Sequence, residues 1–346
     1  MQDEKMGNVK IIDPLTDLTW NSTCKESPFY TSNWAEVISG TYGYKPLYFV
    51  LCENERIRSY IPVMVIDNIL TGKRGISLPF SDICEPYAVS RTDFKELFDY
   101  IIDYGMKDRW RTFEIRGGKE FLSDHKMLSM YYEHLLDLSK TIDALLLGFK
   151  ENVRRNIKKA VQSRVEISFY QTEDALKEFI RLNKVTRKRH GLPSQPVKFF
   201  YNLYEKIIMK KSGLIISAKH EGRTIASNIY LVSGDQVIYK YGSSDYRLQS
   251  LRANNLLMWE SIKYFKDQGY RIFSFGRTFP DNAGLMRFKS GWSDNIRRIN
   301  YYKYNFVYDE FETDNNPERS YINVFFRNLP IFVSSFIGTI FYKYFA

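Results

Sequence analysis

The sequence predicts an α/β fold with mixed sheets, built as two similar halves in tandem. Three observations predict it. First, Val237 to Trp292 reads as strand, loop, long helix, strand and loop, which is a βαβ crossover. Second, a hairpin precedes a helix and a strand in both halves, with polar turns at Glu55-Arg56 and Gly222-Arg223. Third, Leu97–Phe113 lies over Leu257–Phe273 without a gap. Leu97/Leu257, Ile102/Ile262, Tyr104/Tyr264, Arg111/Arg271 and Phe113/Phe273 are identical pairs, the mark of an internal repeat. The halves run over residues 31–140 and 141–310. A lead-in, 1–30, precedes them, and an apolar C-terminal helix, 321–346, follows.

The elements follow in order. Thr31 or Ser32 caps a short helix carrying Trp34, Val37 and Ile38. Leu47 to Cys52 and Ile57 to Ile66 form a hairpin, and Pro62 moves its second strand towards an edge or a bulge. Ile76 to Phe80 is a short strand, followed by the loop Ser81 to Pro86. Thr92 to Lys107 is an amphipathic helix and Trp110 to Arg116 a strand. Asp143 to Arg164 reads as one long helix, with Leu145, Phe149, Val153, Ile157 and Val161 on one face. Arg154, Arg155, Lys158 and Lys159 are on the other, either as a solvated basic face or as a phosphate-holding one.

In the second half, Val165 to Tyr170 is a strand and Thr172 caps a helix reaching Arg189. A helix from Pro196 to Lys211, the strands Leu214–His220 and Thr224–Val232, and a turn at Ser233-Gly234-Asp235 come next. Val237 to Ser243 is rich in tyrosine and β-branched residues. Arg252 to Gln268 has an apolar face and ends at Gly269, which is free to take the left-handed conformation. Arg271 to Gly276 is a buried strand, Gly284 to Lys289 a loop, and Arg298 to Val307 a last aromatic strand.

Composition sets the class. The net charge is +10, and a basic surface attracts phosphates, nucleic acid or anionic membrane. The 26 tyrosines and 25 phenylalanines suit large cores and half-buried sheets. Cys24, Cys52 and Cys84 are odd in number and include no Cys-x-x-Cys pair, which argues against a disulfide framework or a zinc site. With a polar N-terminus, they point to a cytoplasmic protein. Asn328 to Tyr342 is uncharged, mostly apolar, and shorter than the roughly 20 residues a bilayer span needs. It reads as an in-plane helix on an anionic membrane surface through 328–345, or as a terminal helix docked by Ser334, Ser335, Gly338 and Thr339.

Several stretches resemble a known family. Strand and helix order in the second half resembles the Gcn5-related N-acetyltransferase (GNAT) fold, and two such halves resemble the FemA/FemB/FemX family. Ser77-Leu-Pro-Phe-Ser-Asp looks like that family's loop after the first-half strand, and Arg154-Arg155-Asn-Ile-Lys-Lys-Ala like its basic helix. Tyr239-Lys-Tyr-Gly-Ser-Ser, Asn254-Asn-Leu-Leu-Met-Trp-Glu, Phe275-Gly-Arg and Leu285-Met-Arg-Phe-Lys-Ser-Gly-Trp look like its second-half core. The resemblance covers roughly residues 30–307. It implies transfer of an acyl or aminoacyl group to an amine of a cell-envelope or polysaccharide precursor. The donor is acyl-coenzyme A or an aminoacyl-tRNA, no cofactor is tightly bound, and no metal is involved. The loop Asp245 to Arg252 lacks the glycine of a coenzyme A cradle, and no helical hairpin of the kind some aminoacyl-tRNA users insert is present, so both donors stay open.

Ligands of βαβ units bind at the carboxyl ends of the strands, so Tyr241, Ser243, Arg252, Asn254, Arg277 and Lys289 are expected at one rim. The resemblance puts the family's lysine of a Phe-Lys pair on Lys289, where it holds the acyl carbonyl or a nearby phosphate. Lys289, Tyr241 and Asp245 are the catalytic candidates. Arg154, Arg155, Lys158, Ser243, Arg252, Asn254, Arg277 and Asp82 are the candidates for holding substrate and phosphate. Asp82, Asp245 and Glu260 are possible bases, and nothing in their spacing selects one. His125, His134, His190 and His220 lack partnering signals, which disfavours a covalent hydrolase. The rival reading is a non-catalytic tandem fold that binds RNA or anionic lipid.

Overall fold

The computed structural model describes residues 8–17, 19–23, 27–313, 329–330, 333, 337–339 and 342–344. Cys24 and most of the apolar segment 328–345 lie outside them. The first half comprises β1 (Asn8–Ile12), α1 (Trp20–Thr23), α2 (Ser32–Tyr42), β2 (Lys45–Glu53), β3 (Arg56–Ile66) and β4 (Arg74–Ile76). It continues with α3 (Arg91–Lys107), β5 (Thr112–Arg116), α4 (Lys119–Leu122) and β6 (Ser129–Asp137). Then come α5 (Ile142–Gly148), α6 (Glu151–Gln162), β7 (Glu166–Tyr170), α7 (Glu173–Arg189) and α8 (Val197–Leu203). The chain goes on through β8 (Gly213–His220), β9 (Arg223–Ser233), β10 (Gln236–Ser244), α9 (Ala253–Asp267), β11 (Ile272–Thr278), α10 (Ala283–Lys289), β12 (Ile296–Asn305) and β13 (Glu310–Phe311).

Local chemistry explains most boundaries. Thr31 caps α2 by accepting the Trp34 N–H, and Gly43 ends it at φ +74°. Thr172 caps α7. Gly269, at φ +86°, follows α9 as expected. Pro62 lies inside β3, where the β4 ladder covers only Met64 to Ile66, so its missing N–H falls outside that ladder.

Four expectations are corrected. The long helix from Asp143 to Arg164 is broken, because Phe149 and Lys150 are extended (ψ 149° and 148°). Phe149 turns in against Trp259 and Trp292, and the Lys150 N–H donates to the Gly291 carbonyl. Tertiary packing outweighs helical propensity there. The loop through Gly284 is α10, capped by Asn282. The helix expected to reach Lys211 ends its α-helical part at Leu203 and passes into a π turn, Tyr204–Ile208. The strand expected to run to Phe80 stops at Ile76.

The strands form one sheet in the order β1-β2-β3-β4-β5-β12-β6-β11-β10-β9-β8-β7. The repeat is visible in it. The hairpins β2–β3 and β8–β9 correspond, as do the parallel pairs β4–β5 and β10–β11. The last strands are exchanged. β12, from the second half, lies between β5 and β6, and β6, from the first, pairs with β11. On one face a single core joins Trp34, Tyr48 and Met64 of the first half to Phe179, Phe199 and Ile229 of the second. On the other face α3 covers the first half, and α6 and α9 cover the second.

Candidate active site

β10 and β11 are parallel neighbours only over Gln236–Ile238 and Ile272–Ser274. Beyond that both strands bulge, β10 at Tyr239/Tyr241 and β11 at Ser274/Arg277. Bulges disrupt the ladder and leave backbone groups in need of other partners. Lys289, the last residue of α10, supplies one. It is buried, and its Nζ donates to the carbonyls of Gly276 (2.7 Å) and Arg277 (3.1 Å). An ammonium has three donors, so one remains for a ligand. Burial pulls the Lys289 pKa down to about 7, with Lys240 and Arg277 adding to the fall and Asp82 and Glu133 opposing it. Gly276 has φ +68°, and a Cβ there would stand 2.9 Å from Asp82 Oδ2.

Asp82 comes from the first half. Its loop is turned in through two residues in the left-handed region, Leu78 (φ 49°) and Phe80 (φ 64°), strained conformations of the kind that persist where surrounding structure enforces them. The carboxylate is held from the second half: Lys240 Nζ donates to Asp82 Oδ1 at 2.8 Å and to the Phe80 carbonyl at 2.7 Å. Lys240 sits in the β10 bulge over the rings of Phe29 and Tyr241. Burial lowers its pKa, and Asp82 opposes the fall. Arg277 Nε lies 3.8 Å from Asp82 Oδ1. Its guanidinium rests on the rings of Tyr131 (4.7 Å) and Tyr301 (5.3 Å) and donates to the Tyr301 hydroxyl. Tyr301 in turn donates to the Asp82 carbonyl at 2.7 Å.

A second layer supports this cluster from β6. Glu133 accepts from Ser274 Oγ (2.6 Å) and Arg297 Nε (2.9 Å). Buried His134 pairs through Nε2 with Ser290 Oγ at 3.0 Å, beside Lys289. Burial and the Lys289 charge lower its pKa, so it is neutral at pH 7. Among the described residues no His, Cys, Asp and Glu group is arranged to hold a metal ion.

The structure therefore brings Lys289, Arg277 and Asp82 together. The other rim residues make different contacts. Asp245 caps the 3-10 turn Tyr246–Leu251, and bonds from Arg247 hold its pKa down at about 2, which makes it a weaker base than an ordinary carboxylate. Ser243 is buried and accepts from Asn183. Asn254 donates to Ser244 Oγ. Arg252, at φ 58°, starts α9 without a side-chain cap. The Tyr241 ring packs on Phe199 and Phe200, a core position. Arg154 donates to the Leu147 carbonyl, while Arg155 and Lys158 are exposed on α6. Lys240, Glu133, His134 and Tyr301 were not foreseen. A signal existed for Lys240, a cation between two tyrosines in a strand rich in tyrosine and β-branched residues.

Residues 148–290 match the family model described as "Acetyltransferase (GNAT) domain". The matched stretch covers less than half of the chain. It runs from the end of α5 to the residue after Lys289, so the splayed strands and the lysine fall inside it. No curated protein matches the sequence. The crystal structure of FemX is similar over 85% of this chain and 96% of its own, with a TM-score of 0.66 at 14% identity. The C-terminal domain of a putative lysylphosphatidylglycerol synthetase from Agrobacterium fabrum gives 0.55 at 12% identity, covering 83% of this chain and 90% of its own. A tandem GNAT protein from the clavulanic acid biosynthesis pathway gives 0.53 at 10% identity, covering 86% and 98%. At such identities the likeness establishes the fold. The matched stretch thus lies in the second of two GNAT-like halves, the fold that the resemblance in the sequence implied.

Proposed function

We propose that this chain is an N-acyltransferase that moves an acyl or aminoacyl group from an activated carrier to an amine of a cell-envelope or polysaccharide precursor. The observation that carries this is Lys289 in the second GNAT-like half, its ammonium pinned at the bulge where β10 and β11 part, with Asp82 and Arg277 beside it. Amide formation needs a held carbonyl, an amine able to lose a proton, and a stabilised leaving group. The third N–H of Lys289 takes the acyl oxygen. The Asp82 carboxylate receives the amine's proton. Arg277, partly exposed and stacked on two tyrosines, holds a phosphate of donor or acceptor. Donor phosphates have a place at the uncapped N-terminus of α9, whose first N–H groups receive no side-chain cap. The reaction belongs in the cytoplasm, at the inner face of the membrane.

Calorimetry with acetyl-coenzyme A and, in parallel, with charged tRNA tests the reading, followed by mass-detected transfer to amines. Saturable binding of one donor that survives physiological salt supports it and names the donor. Binding of neither donor sinks it. The rival reading, a non-catalytic RNA-binding protein, rests on the exposed cations Arg155, Lys158 and Lys159 of α6. Under that reading Lys289→Ala leaves RNA binding intact, and no transfer to an amine is detected with either protein.

A further inference from the structure

Among the described residues, the three most exposed large apolar side chains are Ile69 (102%), Tyr308 (73%) and Val307 (72%). They lie far apart in sequence and close together in the fold. The first ladder positions of β4 and β5 are Arg74 and Thr112, and Thr112 faces Asn305, the last residue of β12. The β3–β4, α3–β5 and β12–β13 turns therefore leave the same end of three adjacent strands. Arg111 joins them: its N–H donates to the Lys73 carbonyl, its side chain packs against Gly72, and its carbonyl accepts from the Phe306 N–H. Exposed Leu70 and Met106 belong to the same end. Around these apolar tips stand the exposed cations Lys107, Arg109 and Arg111. The acids nearby are Asp67 and Asp103, which are exposed, Asp108, which is tied to Lys73, Asp309, which accepts from Tyr304, and exposed Glu310, which pairs with Lys126. β13 starts at this end and runs back along β12, where the Glu312 N–H donates to the Lys303 carbonyl. The last described residues of the chain return to the flank, where Tyr44 donates to the Lys343 carbonyl and Arg74 to that of Tyr344.

We infer that this end of the first half is a membrane-binding face for anionic phospholipid, in which Ile69, Leu70, Val307 and Tyr308 enter the headgroup region and Lys107, Arg109 and Arg111 meet the phosphates. Apolar tips among cations are what an anionic bilayer surface selects, since insertion and charge attraction add. Single exposed apolar residues are ordinary, but several on convergent turns mark an interaction surface. The inference rests on the placement at a membrane proposed above, not on the transfer chemistry. The face lies at the end of β5 and β12 opposite Arg116 and Tyr301, so a docked protein keeps the Asp82 cluster off the lipid.

The test is sedimentation of the full chain with vesicles of equal parts phosphatidylcholine and phosphatidylglycerol, and with phosphatidylcholine alone, at low and physiological salt. The wild type is expected to pellet with the anionic vesicles only. Ile69→Ser with Leu70→Ser, and separately Lys107→Glu with Arg109→Glu, should each weaken pelleting roughly tenfold or more. All four side chains are exposed, so circular dichroism should be unchanged. Wild-type pelleting that both double variants retain overturns this face while leaving membrane placement intact. Absence of wild-type pelleting overturns both. Neither result touches donor binding, which calorimetry reads separately.

Discussion

Lys289 carries the heaviest demand of any side chain in the second half, because a buried ammonium is held by carbonyls that a bulge has left unpaired. If its free N–H holds the acyl oxygen, Lys289→Ala should lower turnover by about 10²–10³ with donor binding retained, as steady-state kinetics beside calorimetry would show. Its pKa also makes a stability prediction. The folded value, about 7, lies below the unfolded lysine range, so between the two the unfolded chain binds more protons and stability rises with pH. Denaturant midpoints at about pH 7 and about pH 9.5 should show that rise, and Lys289→Met should reduce it. Asp82 and Lys240 form a buried pair across the halves. Lys240→Met strands a carboxylate and should cost about 3–5 kcal/mol, and adding Asp82→Asn should recover much of that, which a double-mutant cycle measures. None of these partnerships is visible along the chain. Lys289 was legible from its place after the βαβ unit and from a family pattern, and Lys240 only as a cation between two tyrosines.

The decisive element is the diverging pair β10 and β11. Gly276 makes its bulge possible, since φ +68° and the nearby Asp82 oxygen leave no room for a Cβ. Gly276→Ala should destabilise on the order of 1–3 kcal/mol and impair activity, with urea unfolding and kinetics as readouts. The break between α5 and α6 shows the opposite balance. An unbroken apolar stripe with a step of four predicts one helix, yet Phe149 gains more by packing on Trp259 and Trp292 than the helix gains by continuing. Phe149→Ala should cost about 3–5 kcal/mol in chemical denaturation. Periodicity located helices and hairpins well because those are local signals. It missed β6, where Glu133 and His134 are buried by pairing on both sides with strands remote in sequence.

At the scale of the molecule, the exchange of β6 and β12 and the core shared by Trp34 and Phe199 make the two halves interdependent. Residues 31–140 produced alone should fail to fold, because β6 would lose both neighbours and the shared core would stand open. The full chain should unfold in one transition rather than two, as calorimetry can show.

The sequence by itself determined the α/β class, the tandem repeat, the hairpins and most helix boundaries. Each depends on neighbours within a turn or a strand, or on a pattern that repeats. The tertiary structure alone decided which strands exchange, that a first-half aspartate meets second-half cations, and that Asp245 caps a turn and pairs with Arg247. It also gathered the apolar turns at one end. Those outcomes rest on contacts between residues far apart in the chain, where burial and pairing set the chemistry of each group.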